Sequence, residues 1–184
     1  MSVQTRTQLQ ASAATITTET AAGANTATRV GGLFDDLADT ATLDRERGVA
    51  NLFLDSDTNF TPTQGSAVKL TSAMKSGVLS TYNFTRTTTA ITYTGTTSAA
   101  LRVSVSMVLA QNNNTQIKIY IAKNGSIIAQ SMTDITTQHT NGHAVFTETV
   151  LQGAANDEFT IYINAIDSAA AIAISALSFT VHTL

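Results

Sequence analysis

The chain has 184 residues, 12% of them charged, a formal net charge of −3 and no cysteine. That length fits one ordinary domain with a short appendage, and the missing thiols exclude disulfide frameworks, zinc knuckles and cysteine nucleophiles. Ten Lys and Arg, scattered singly apart from Arg45 and Arg47, form no basic stripe that could follow a phosphate backbone, so nucleic-acid binding is not expected. Threonine takes the place of charge: with 33 threonines, one proline and 43% hydrophobic residues, the composition is that of a folded, β-rich protein with a hydroxyl-covered surface.

Residues 5–47 read as helical. Thr5 and Gln8 have capping-box spacing, with Leu9, Ala13 and Ile16 down one side of a short helix. The β-branched run at 17–20 favours a break, after which Asn25 or Thr26 caps a second helix. Val30, Leu33, Phe34, Leu37 and Ala41 then fall at i, i+3, i+4, i+7 and i+11, one apolar stripe with Asp35, Asp36, Asp39 and Asp44 largely off it. Isolated helices under ~12–15 residues are marginal in water, so this stripe needs something to pack on. The opening residues lack an apolar signal core, so export by that route is not expected. The most apolar stretch, 169–181, alternates and is broken by Ser175 and Ser178, so no membrane insertion is expected.

From Val49 onward the period drops to two. Residues 55–65 (DSDTNFTPTQG) read as a turn-rich loop, and 68–70, 82–84 and 90–93 as short β-type runs. Leu101, Val103, Val105, Met107 and Leu109 alternate with polar residues, as do Ile117, Ile119 and Ile121. Asn124-Gly125 marks a tight hairpin, since both residues tolerate positive φ. Strands are expected at 126–133, 144–151, 158–166 and 170–183. In the last, Ile172 and Ile174 share one parity whereas Leu177, Phe179 and Val181 share the other, which predicts a β-bulge near Ser175–Ala176. Eight or nine strands without intervening helices indicate a sandwich or jelly roll.

Chemistry-bearing patterns are sparse. Asp55, Asp57 and Asn59 match the first three ligand positions of a calcium loop, but Phe60 and Ser66 occupy the places of its glycine and glutamate, so the segment reads as a solvated turn. His139 and His143 flank Asn141-Gly142 without a third ligand type nearby. The sequons at Asn59, Asn83, Asn113 and Asn124 are expected by chance in so threonine-rich a chain. Asp157 and Glu158 are adjacent on a strand and point to opposite faces, which prevents joint acid–base work. No nucleophile elbow, triad spacing or phosphate loop occurs, so no catalytic residue, metal or cofactor is expected. Tyr120 and Tyr162 lie on the parity opposite the isoleucines of their strands, as surface aromatics or as anchors at a subunit interface.

Residues 83–110 (NFTRTTTAITYTGTTSAALRVSVSMVLA), 119–131 (IYIAKNGSIIAQS), 151–164 (LQGAANDEFTIYIN) and 174–184 (ISALSFTVHTL) together resemble the tumour-necrosis-factor/C1q-type jelly roll. The resemblance is to the version found in bacteriophage fibre and spike proteins. It rests on Tyr93-Thr94-Gly95, Lys123-Asn124-Gly125 and the Asp157-Glu158 step, and it covers residues 49–184. ATRVGGLFDDLADTA, residues 27–41, resembles the helical segment that precedes such domains in phage tail- and head-fibre proteins. The resemblance implies a mainly β fold, an antiparallel jelly-roll sandwich over 49–184 preceded by a short α-helical anchor over 1–48. It further implies a homotrimer, for whose interface Tyr120, Ala122 and Tyr162 are available. Val30, Leu33, Phe34 and Leu37 would serve as the stripe that packs on itself or on other virion proteins. The implied role is a non-enzymatic fibre or spike on the virion exterior, assembled in the host cytoplasm, that contacts a host-surface glycan or protein or decorates the capsid. A carbohydrate-binding module or bacterial adhesin of the same sandwich fold is the alternative; a glycan-degrading tailspike and a secreted cytokine-like signal fit less well.

Overall fold

The computed structural model describes residues 48–77, 82–111, 114–137 and 142–184, together with Ala11, Ala14, Gly32 and Phe34. The chain divides into two units, Met1–Arg47 and Gly48–Leu184. In the first unit the four described residues have helical backbone; the rest of the expected helical anchor, including Val30, Leu33 and Leu37, lies outside the described residues.

The second unit is a sandwich of two antiparallel sheets. Its strands in chain order are β1 (Val49–Leu54), β2 (Thr58–Phe60), β3 (Val68–Lys69), β4 (Lys75–Ser76), β5 (Phe84–Arg86), β6 (Ile91–Tyr93) and β7 (Ala99–Ala110). There follow β8 (Thr115–Lys123), β9 (Ser126–Ile127), β10 (Thr133–Thr137), β11 (His143–Gly153), β12 (Glu158–Ala165) and β13 (Ile172–Thr183). The first sheet has the order β11-β7-β13-β1-β4, with β2 also paired to β13. In the second the order is β10-β8-β12-β6-β5, with β3 on β12 and β9 on β8. The chain changes sheet from β7 to β8, from β10 to β11, from β11 to β12 and from β12 to β13, so sheet neighbours are distant in sequence, as in a jelly roll.

Alternation explains the layers. The odd-numbered apolar residues of β7 and β8 point inward, and Leu101, Val103, Leu109, Ile117, Ile119 and Ile121 have no exposed surface. Phe159 and Ile163 of β12 and Phe179 and Val181 of β13 meet them from the other strands. Each such side chain contributes roughly 1.5–3 kcal/mol by leaving water.

The β13 bulge is where the side-chain parities placed it. The register with β7 shifts between Ile174 and Ala176. Ser175 and Ala176 are both exposed, whereas Ile172, Ile174, Leu177, Phe179 and Val181 are all buried. The hairpin turn also has the expected form, with φ of 52° at Asn124 and 77° at Gly125. Gly95 is required for a different reason: a Cβ there would run into the ring and hydroxyl of Tyr93, which donates to the Thr97 carbonyl at 2.8 Å.

Two expectations need correction. Residues 58–60, read as loop, form β2 and pair with Ile172–Ile174 of β13 in the first sheet. Residues 126–133, read as one strand, are β9, a 3₁₀ turn at Ala129–Ser131 and the start of β10. At that break the ladder along β8 is completed by a side chain, since the Ile121 N–H donates to Ser131 Oγ at 2.8 Å. The buried hydroxyl in turn lies 2.7 Å from the Ile128 carbonyl, to which it donates.

Candidate functional site

Among the described residues, no three His, Cys, Asp or Glu side chains are gathered to hold a metal ion, and no helix is long and apolar enough to cross a membrane. Asp55 of the DSDTN segment forms an ion pair with Lys75 across the β1–β4 edge. Its partner holds the Asp55 carboxyl below the usual carboxylate range. His139 and Asn141 lie outside the described residues, and His143 opens β11 opposite Leu109.

Asp157 and Glu158 turn to different partners. The Asp157 carboxylate, 6% exposed, accepts from the Ala154 N–H at 2.6 Å and from Asn124 Nδ2 at 2.7 Å, with Lys123 Nζ at 2.7 Å. Burial pushes this carboxyl up, but Lys123, the Ala154 N–H and Asn124 together hold it below its ordinary value. Asn124 Oδ1 accepts from the Glu158 N–H at 2.8 Å, which ties the β8–β9 turn to the start of β12. The Glu158 carboxylate faces Lys69 at 3.4 Å. The cluster is a latch between two turns.

Among the described residues, the two outward sheet faces differ in composition. On the second sheet Tyr120 and Tyr162 are directly opposed and half-exposed. Ala122, expected beside them at an interface, is fully buried within the protomer and has no surface to give a neighbour. The Tyr162 hydroxyl reaches to 4.0 Å from where a Cβ on Gly125 would sit, so its ring lies along the Ala122–Thr160 pair. Lys69, opposite Tyr162, extends back to Glu158. Lys118 and Asp134, 4.0 Å apart, border the tyrosines on the other side. This face is framed by ion pairs.

The outward face of the first sheet has a different character. Register aligns its side chains in rows across β1, β13, β7 and β11: Val49–His182–Arg102–Val150, then Asn51–Thr180–Ser104–Glu148, then Phe53–Ser178–Ser106–Phe146. A fourth row holds Ala176, Val108 and Ala144. Arg102 and Glu148 are the only charged residues in these rows. Phe146 is 57% exposed and Val150 55%. Small side chains in the third and fourth rows, beside the bulge, leave a hollow of about 400 Å³ with Phe146 on one flank and Leu54 among its walls. The polar groups between are already partnered in part, with Asn51 Nδ2 2.9 Å from Ser178 Oγ and 3.0 Å from Thr180 Oγ1.

No family model and no curated protein matches the chain. Solved structures do match. Murine APRIL superposes with a TM-score of 0.52 at 10% identity, covering 75% of this chain and 99% of that one. The Eiger TNF of S. frugiperda gives 0.55 at 8% identity, covering 75% and 92%. PRD1 vertex protein P5 gives 0.50 at 8% identity, covering 74% and 96%. The fold is a TNF-like jelly roll.

Tyr120 and Tyr162 point outward, as their parity predicts, but the first-sheet face was not anticipated. The signal was present in β11, where Ala144, Phe146 and Val150 put apolar groups on the parity opposite Val145 and Leu151. Apolar side chains on both parities mark a strand covered on both sides. Of the expected anchor stripe only Phe34 is described, and it is 64% exposed.

Proposed function

We propose that this chain is the subunit of a homotrimeric, non-enzymatic structural protein of a bacteriophage particle, a fibre or spike with its jelly roll on the virion exterior. Residues 1–48 would attach it to capsid or tail proteins through Val30, Leu33, Phe34 and Leu37. The observation that carries this reading is the outward face of the first sheet, where exposed Phe146 borders a hollow lined by small and apolar side chains and Val150 is exposed two rows away. Exposed apolar side chains beside a hollow are a mark of association. The second-sheet face would have to desolvate Lys69–Glu158 and Lys118–Asp134 on burial, and desolvation can exceed the Coulombic gain of such pairs. The proposed subunit interface therefore moves from Tyr120 and Tyr162 to the first sheet. Likeness to a vertex protein of PRD1 and to TNF-like jelly rolls, a family of threefold trimers, supports a trimeric particle component.

Light scattering of the full chain at micromolar concentration tests this. Three times the protomer mass is expected, and a monomer would overturn it. A second reading, a carbohydrate-binding module or adhesin, is favoured by the opposed Tyr120–Tyr162 pair. It predicts glycan binding by monomers.

A further inference from the structure

The face proposed to join the subunits holds, among its described residues, one group that changes charge between pH 5 and 8, namely His182. We propose that His182, in register with Arg102 on this face, makes trimer assembly acid-sensitive, so that protonation of the three imidazoles releases the subunits. This inference rests on the trimer reading and on the first-sheet face as its interface.

The placement carries the argument. His182 on β13 lies between Val49 of β1 and Arg102 of β7, and Val150 of β11 is the next member of the row. Glu148 sits one row along β11, opposite Ser104 and diagonal to Arg102. Among the described residues, Lys75 and Asp55 pair with each other at the β4 edge, and the Arg86 guanidinium reaches β1 from β5, donating to the Asn51 carbonyl at 3.3 Å and the Gly77 carbonyl at 2.6 Å, away from His182. Neutral His182 leaves Arg102 balanced by Glu148. An imidazolium adds an unmatched positive charge beside a guanidinium, and closure of the interface would remove the water that screens the two. Three copies multiply the effect. Burial first, and the Arg102 charge second, already hold the His182 imidazole below its ordinary value within the protomer, while Glu148 pulls the other way. Assembly deepens that burial. Separated subunits then bind more protons than the trimer once pH falls to the lowered protomer value, below the ordinary value of about 6.5, and linkage drives dissociation in that window.

The test is sedimentation of the full chain from pH 8 to pH 5 for wild type, His182→Gln and Arg102→Gln, with circular dichroism to confirm that each protomer stays folded. The wild-type trimer dissociation constant should rise roughly ten- to hundred-fold between pH 7.5 and 5.5, as expected for up to three linked protons. His182→Gln should flatten that rise, and Arg102→Gln, which removes the like charge, should shrink it. A wild-type constant that stays level, trimers that tighten in acid, or an acid response unchanged in His182→Gln would overturn the switch and leave the trimer standing. Monomers already at pH 8 would overturn the trimer reading, and the switch with it.

Discussion

Asp157 shows how a single carboxylate can do structural work in a chain with few charges. It joins the turn before β12 to the Asn124-Gly125 turn, whose positive φ values would otherwise have only local support. Asp157→Ala removes three polar contacts at once and leaves the Ala154 N–H and Asn124 amide without their acceptor. Ala154 and Asn124 are exposed and water can replace the acceptor, so the loss is that of hydrogen bonds to a charged group, about 1.5–3 kcal/mol, and the urea midpoint should fall by that equivalent with an unchanged slope. The pH dependence has a definite sign. A carboxyl whose folded value is depressed stabilises above its ordinary value of about 3.9, and that contribution is lost as pH falls through the folded value. Wild type should therefore lose stability below about pH 4 more steeply than Asp157→Ala. The sequence reads Asp157 and Glu158 as neighbours on one strand, whereas Asp157 ends the turn and β12 begins at Glu158. It could not show the latch, since Asn124 and Lys123 are brought to Asp157 only when β8 and β12 pair.

At the scale of the element, the clearest sequence signal was a conflict. Ile172 and Ile174 against Leu177, Phe179 and Val181 cannot all face inward on a regular strand, and one inserted residue resolves it. Deleting Ser175 restores regular pairing only by turning one of these sets toward water. Deletion should abolish cooperative thermal unfolding, while Ser175→Ala, at an exposed position, should stay within about 0.5 kcal/mol of wild type in the same melt. Retained cooperative unfolding in the deletion variant would mean that the core does not depend on both sets. The long strands β7, β8, β11, β12 and β13 were legible because five or more alternations leave little room for another period. β2, β4 and β9 were not, since two or three residues define no period and such strands form only where a long neighbour offers an open edge. Residues 126–137 misled for a related reason: Ile127, Ile128, Met132 and Ile135 occupy both parities, and the Ser131 hydroxyl that bridges the break has no local pattern of its own.

For the whole molecule, the fold class was legible and the difference between the two outward faces was not. Trimer contacts are made by residues that a single strand presents as surface, so a sequence shows which residues point outward but not which outward face is bare and which is closed over. Tyr120 and Tyr162 drew attention as aromatics, yet Ala122 and Thr160 beneath the same row are already covered by their own protomer. Phe146 and Val150 have no such cover. This difference sets the two faces against each other in one experiment. Phe146→Asp places a carboxylate beside the hollow, within reach of Glu148 two residues away on the same outward parity. If the first sheet closes the trimer, that charge must be desolvated at a packed contact, and the dissociation constant should weaken by roughly a hundred-fold, the range of a strong interface residue. The protomer should melt almost as wild type does, because Phe146 is outside the core. The double variant Tyr120→Glu/Tyr162→Glu should sediment as a trimer, since the second-sheet face would remain in water. The opposite pattern, monomers from the tyrosine variant and trimers from Phe146→Asp, would return the interface to the second sheet and remove His182 from any contact between subunits.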